Sequence, residues 1–191
     1  PAGLEAARVA AERGHKVTLA EAAPHFGGQF RLAGQQPRRG QITDLLDWYG
    51  RQLEKLDVEV RFNSYLEPDE VAAMGADKVI IATGSLPTET GFQRAMTQNE
   101  ILPGIELGQV FSPEDVMGRA VRPGKRVIVL DEGGNWRGAG TAWFLAEEGH
   151  AVTLVTPDAL IGKELQRTAA DWPLRKALRR LGAEFVTESA I

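Results

Sequence analysis

Cysteine is absent from all 191 residues. That removes disulfides, thiolate nucleophiles, thiolate zinc sites and iron–sulfur ligation from this stretch. Histidine is scarce: the three residues His15, His25 and His150 are too dispersed to suggest a metal site by spacing. Charge of one sign is not in large excess. The formal net charge is −4 and the basic residues are scattered, so the electrostatic footprint of a nucleic-acid binder is missing. No apolar run approaches the length of a membrane span, and no signal-peptide pattern precedes the first helix. These absences set the expectation of a soluble, cytoplasmic protein with neither nucleic acid nor membrane as partner. A Met and a strand are missing ahead of the first turn as well. The chain opens PAGLEAARVAAERGHKVTLAEA and reads as a fragment of a larger protein.

What is present is enough apolar material, 43% of residues, for a proper core. Residues 4–13 read as a small-residue helix with Leu4, Ala7, Val9, Ala10 and Ala11 on its apolar side, stopped by Gly14. A strand is expected at 16–20, ending at Glu21. After the glycine-rich loop His25 to Phe30 comes a longer helix over about 41–56, with Ile42, Leu45, Leu46, Tyr49, Leu53 and Leu56 at helical spacing. A short strand follows at 58–62, a helical turn near 69–74, and a strong strand at 77–83 ending at Gly84. Residues 85–108 are loop-like, and Val110 with Phe111 suggests a short extended piece. Ser112-Pro113-Glu114-Asp115 is a helix start with a cap, Pro in the first turn and acids behind it.

Strands are then expected at 126–130, 151–155 and 183–187. Between them lie a helix running to about Glu148 and another, capped by Asp171, running to Leu181. Alternating strands and helices of this length imply an α/β fold with mainly parallel sheets. The expected arrangement is two Rossmann-like units of the FAD/NAD(P)-binding type, the first lacking its initial strand. Residues 1–85 are assigned to a partial FAD/ADP-binding domain, 86–122 to a connecting segment, and 123–191 to an NAD(P)-binding-like domain with a degenerate glycine motif.

An internal repeat supports the pairing. AERGHKVTL ends at Leu19 and AEEGHAVTL at Leu154, an offset that also aligns Gly3 with Gly138. Pro1-Ala2-Gly3 fits the end of a GxGxxG turn, where backbone must approach a pyrophosphate at a helix N-terminus. Glu21 stands at the end of the next strand, where a carboxylate accepts hydrogen bonds from ribose hydroxyls. Taken singly, Gly3 is as well explained by close helix packing and Glu21 by a solvated strand end. Gly27-Gly28 and the strand DKVIIATG, with its terminal Thr83-Gly84, shift the balance. The candidate cofactor-binding residues are Ala2, Gly3, Glu21, Gly28, Gln29, Thr83 and Gly84; no catalytic residue and no metal ligand is assigned.

The stretches PAGLEAARVAAERGHKVTLAEA, FGGQFRLAGQ, DKVIIATGS and Pro103 to Val155 resemble the C-terminal region of the NADH:flavin oxidoreductases related to old yellow enzyme. That group includes 2,4-dienoyl-CoA reductase and trimethylamine dehydrogenase. The resemblance implies an oxidoreductase whose redox chemistry lies in an N-terminal barrel, outside these residues, carrying FMN and an iron–sulfur cluster and acting on a small-molecule substrate. It implies FAD or ADP at the first site. On the amine-dehydrogenase side it implies an electron-transfer flavoprotein as acceptor, and it is compatible with a homo-oligomer. The absence of Cys after Gly27-Gly28 departs from disulfide reductases, which place their redox pair just beyond the corresponding loop.

In the second unit, Gly133-Gly134-Asn135-Trp136-Arg137-Gly138 occupies the G-x-G-x-x-G frame, but the middle glycine is Asn135. A side chain there stands between backbone and pyrophosphate. Asp131 and Glu132 lengthen the turn and bring like charge to a phosphate, and Thr156 replaces the ribose carboxylate. Ordinary NAD(P)H binding is therefore not expected, and the match leans toward the trimethylamine dehydrogenase side and oxidative amine demethylation or dehydrogenation. Two alternatives stay open: an NAD(P)H-dependent reductase of the enoate or dienoyl-CoA type, and a non-catalytic module with a structural ADP or FAD. Trp136 sits in the turn and is a candidate to fill a cofactor's place, whereas Arg38 and Arg39 read as a solvated basic pair.

Overall fold

A computed structural model describes residues 1–191 as two compact units, one made of Pro1–Gly34 with Gly40–Leu86 and the other of Gln35–Arg39 with Pro87–Ile191. The first unit runs α1 (Ala2–Glu12), β1 (Thr18–Ala20), α2 (Gln29–Gly34), a 3-10 turn (Gly40–Thr43), α3 (Asp44–Lys55), β2 (Glu59–Arg61) and α4 (Pro68–Ala73). The second runs α5 (Pro113–Met117), β3 (Arg126–Leu130), α6 (Trp136–Glu147), β4 (Ala151–Val155), a 3-10 turn (Lys163–Thr168), α7 (Asp171–Arg180) and β5 (Glu184–Val186), after a 3-10 turn at Ile105–Leu107.

In the first unit β1 and β2 pair in parallel, Leu19 opposite Val60. Leu4 and Ala7 of α1 meet Leu46, Tyr49 and Leu53 of α3 in a core closed by Val58. The spacing of these residues on each helix is one apolar stripe turned to the sheet. The left-handed Gly14 (φ 86°) ends α1: its N–H donates to Ala11 O at 2.9 Å and that of His15 to Ala10 O at 3.1 Å. The loop after Gly27-Gly28 winds into the short helix α2, an element not expected from the sequence.

The strand expected at 77–83 is not formed. Its composition suits a sheet, but it has no hydrogen-bonded neighbour, and Val79, Ile80 and Ile81 are 56%, 66% and 83% exposed. β-propensity needs a partner ladder before it produces a strand. Val110 and Phe111 likewise join no sheet.

The second unit is a parallel sheet of order β3-β4-β5. Val127 stands opposite Val152, and Leu154 opposite Phe185. α6 is buried almost throughout from Gly138 to Ala146, as a helix with small and apolar residues on most of its circumference must be. Ala139, Ala142, Leu145, Leu154, Leu174 and Leu178 form the centre of that core. Gly149 (φ 90°) ends α6 as Gly14 ends α1, with Gly149 N bonded to Ala146 O and His150 N to Leu145 O. The sequence repeat is thus a repeat of helix, left-handed glycine stop and parallel strand. Ser112 caps α5 as expected, accepting from Asp115 N at 3.1 Å. Asp171 does not cap α7: it lies inside the first turn, where its carboxylate pairs with Arg175 at 2.8 Å.

Candidate functional site

In the first unit Glu21 follows the carboxyl end of β1, and Ala2 and Gly3 lie at the N-terminus of α1; in parallel sheets ligands bind beyond the carboxyl ends of the strands. Ala2 and Gly3 open α1. A Cβ on Gly3 would stand 3.2 Å from the Ala82 Cβ, so glycine there lets the helix approach the segment that precedes Thr83 and Gly84. The N–H groups at the start of an 11-residue helix, together with its dipole, favour an anion.

Glu21 follows β1 directly and is fixed by its backbone, its N–H donating to Arg61 O and its carbonyl accepting from Ser64 N, both at 2.9 Å. Oε1 accepts from Ala23 N at 2.9 Å, and no protein donor is bonded to Oε2. A second oxygen thus stays available to a hydroxyl pair. Gly28 (φ 48°) and Gly84 (φ 80°) are both left-handed, and a Cβ on either would meet open space. Gly27 (φ 117°) is different, since a Cβ there would come within 2.5 Å of Leu46 Cδ1. Gln29 begins α2 and its side-chain amide donates to Ser85 O, which ties the glycine loop to the Thr83-Gly84 turn. The structure therefore joins Gly3 to the 82–84 segment and Gln29 to Ser85.

The second glycine turn is built in the opposite way, because its donors are taken by the chain itself. Asp131, 2% exposed at the end of β3, accepts from Gly134 N at 3.0 Å. Its Oδ2 has no partner. Burial pushes this carboxyl up to about 6, against the opposing pull of the Gly134 and Gly133 N–H groups. A Cβ on Gly138 would lie 2.4 Å from Asp131 Oδ1, so the close-packing glycine of the motif here accommodates a carboxylate of the same chain.

Asn135 is the N-cap of α6, its Oδ1 accepting from Arg137 N at 2.8 Å. A Cβ on Gly133 would meet the Asn135 Nδ2 at 2.8 Å. Thr156, fully buried, donates to Asp131 O at 2.9 Å, which makes it a tie between strand ends. The sequence argument about Asn135 and Thr156 identified what each lacks; the structure adds what each does instead.

Around this turn lie Gln36, Arg94, Glu114, Asp158 and Lys163, which the sequence did not single out, and Arg39, which it read as solvated. Gln36 donates to Trp136 O at 2.9 Å, and the Arg39 guanidinium lies 4.5 Å from the Trp136 ring centroid. Arg39 is thus not a freely solvated cation, and burial lowers its affinity for the proton. Arg137 forms a forked pair with Glu114, at 2.9 and 2.8 Å. Arg94 bonds Asp158 and lies 3.3 Å from Glu132, and Lys163 reaches Asp158 at 3.1 Å. Burial pushes the Asp158 carboxyl up, but Arg94 and Lys163 outweigh it and hold it below its ordinary range. Contacts such as Arg137–Glu114, Arg94–Asp158 and Gln36–Trp136, spanning 23, 64 and 100 residues, leave no local sequence signal.

No group of three His, Asp or Glu side chains lies close enough to hold a metal ion, and no helix is long and apolar enough to cross a membrane.

Comparison with known proteins bears on the family. The probable N-methylproline demethylase of Rhizobium meliloti is 39% identical over 185 residues, covering 97% of this chain and 26% of that protein. The N,N-dimethylglycine/sarcosine dehydrogenase of Chromohalobacter salexigens is 39% identical over 158 residues, covering 83% and 22%. Among solved structures, the 6-hydroxypseudooxynicotine amine oxidase of Pseudomonas geniculata superposes with a TM-score of 0.93 at 33% identity, over 100% of this chain and 28% of that one. The chain thus spans about a quarter of the length of these relatives. The family pattern of pyridine nucleotide-disulphide oxidoreductases matches residues 1–191. With two parallel α/β units, each built on a strand and a glycine-entered helix, the chain belongs to the pyridine nucleotide-disulphide oxidoreductase family.

Proposed function

We propose that residues 1–85 hold an adenine nucleotide, FAD or ADP, as the nucleotide-binding portion of a longer amine-oxidising flavoenzyme. Ala2 and Gly3 present the α1 N-terminus to the phosphates, and Glu21 takes the ribose hydroxyls. Gly28, Gln29, Thr83 and Gly84 shape the surrounding loops. One observation carries this reading: Glu21 at the end of β1 keeps one carboxylate oxygen without a protein donor, whereas the turn after β3 is filled by Asp131 and Thr156 at the end of β4 is buried and bonded to Asp131 O. When bound, FAD would supply electron transfer, whereas ADP would supply binding and orientation alone. The amine class rests on the relatives, which are named as a demethylase, a dehydrogenase and an amine oxidase. FMN, an iron–sulfur cluster and the substrate site then belong to a barrel outside these residues, and a flavoprotein carrier takes the electrons in a soluble, cytoplasmic setting.

The second unit, residues 123–191, is proposed to serve as a scaffold that does not take NAD(P)H. A buried carboxylate at the glycine turn competes for the N–H groups a pyrophosphate would need and repels its charge. The test uses the full-length protein, from which bound nucleotide is released and identified by mass in wild type and Glu21→Ala. Retained nucleotide in wild type and reduced content in the variant support the reading. Unchanged nucleotide content in Glu21→Ala, or fast reduction of the flavin by NADH in wild type, contradicts it.

A further inference from the structure

The turn after β3 is faced by two carboxylates, and the second has a grip of its own. Asp131 at the end of β3 holds the Gly134 N–H at 3.0 Å. Asp158, just past the end of β4, stands against the same glycine: its Oδ2 lies 3.4 Å from the place a Cβ on Gly134 would take, and so does the Lys163 backbone nitrogen. Gly134 is left-handed (φ 58°), which keeps the turn free of a side chain. Both oxygens of Asp158 are bonded, Oδ2 by the Arg94 guanidinium and Oδ1 by the Lys163 ammonium at 3.1 Å, and the side chain is 10% exposed. Its N–H donates to Thr156 Oγ1 at 3.3 Å and its carbonyl accepts from Glu188 N at 3.0 Å.

Asp158 is the one carboxylate in the chain that pairs with two cations. The surface pairs Arg119–Glu148 and Arg167–Glu164 have a single partner on each side. Arg94 is itself aimed by Glu132, whose Oε2 accepts from the Arg94 N–H at 3.1 Å. A guanidinium fork and an ammonium on one anion, beside a left-handed glycine turn at the carboxyl ends of parallel strands, are the donors from which phosphate sites are built. A plain surface pair needs none of this setting.

We propose that Arg94, Lys163 and the Gly134 turn form an anion site of diphosphate type that the chain fills itself, Asp158 holding one phosphate position and Asp131 the other. The contact is autoinhibitory. A tethered carboxylate loses no translational freedom on binding, so it outcompetes a free anion for the same donors. Removing Asp158 leaves Lys163 without a partner and Arg94 on Glu132 alone. Closure of this site depends on the reading that the second unit takes no NAD(P)H, and it is separate from whether the first unit holds FAD or ADP.

The test uses the full-length protein and inorganic pyrophosphate as the probe, added at constant ionic strength and read as the shift in melting temperature. Asp158→Ala is expected to melt below wild type and to recover with pyrophosphate, at an apparent affinity about tenfold or more above that of wild type. Arg94→Ala in the Asp158→Ala background is expected to abolish that gain. Any binding at the first unit is common to all the proteins and cancels in the comparison. If Asp158→Ala does not fold, Asp158→Asn, which keeps the shape and removes the charge, carries the same comparison with its own Arg94→Ala partner. A pyrophosphate response equal in wild type and variant, or a gain that survives Arg94→Ala, overturns the proposal. NADH retained by the wild type would instead overturn the reading of the second unit on which it rests.

Discussion

Asp131 is the residue on which the difference between the two glycine turns rests. Its carboxyl is raised from an ordinary value of 3.8 to about 6 because burial outweighs the two backbone donors. For a group raised in the folded state, the associated stability is fully present below about 3.8 and is lost as pH rises through about 6. Holding the charge at neutral pH therefore costs the fold on the order of 3 kcal/mol at most, taking about 1.4 kcal/mol per unit. Asp131→Asn keeps the Oδ1 acceptor and removes the charge. It is expected to erase the fall in stability between pH 4 and 6 relative to wild type, read as the difference in urea midpoints across that range. An identical pH profile in the two proteins would show that Asp131 is not the titrating group.

Gly138→Ala tests the same packing by volume. With a Cβ 2.4 Å from Asp131 Oδ1, the variant should lose about 1–3 kcal/mol in urea unfolding. An unchanged midpoint would refute the contact. At this scale the sequence was informative about absences. It marks Asn135 and Thr156 as departures from the glycine and the carboxylate of the motif. It could not show that Asp131 turns inward, because burial of a strand-end acid is decided by what packs above it.

At the scale of elements, the repeated unit was the most legible feature. Helix, glycine stop and parallel strand recur because left-handed φ at Gly14 and Gly149 is a local demand that only certain residues meet cheaply. Gly149→Ala, at φ 90° with open space around it, should cost about 1 kcal/mol through backbone strain alone. Calorimetric melting of the variant checks this, and a melting temperature equal to that of wild type would count against it.

The strand expected at 77–83 was the counterpart error. Val79, Ile80 and Ile81 carry the right side chains, but a strand is a property of a pair, and no neighbour is hydrogen-bonded to them. α2 was missed for the opposite reason, since Gln29 to Gly34 is too short for periodicity to register and is set by the loop that enters it. The cap expected at Asp171 moved by one position because a buried pair with Arg175 was available inside the first turn.

At the scale of the whole molecule, two units that share a helix, a left-handed glycine stop and a parallel strand differ in how their glycine turns are filled. The first keeps a carboxylate with a spare oxygen and open space at Gly28 and Gly84. The second satisfies its own donors with Asp131 and Asn135 and backs the turn with Gln36, Arg39 and the Arg94–Asp158–Lys163 cluster. Order along the chain brings the residues of the first half of that contrast into view. The second half depends on partners as far apart as Gln36 and Trp136, which no local pattern links. The central claim is that one unit binds and the other does not. The most direct measurement is the identity and number of adenine nucleotides released from the intact full-length protein, determined by mass after saturation with NADH and gel filtration. The account predicts one FAD or ADP per chain and no retained nicotinamide dinucleotide; NADH held on Gly133 to Gly138, or no adenine nucleotide at all, would contradict it.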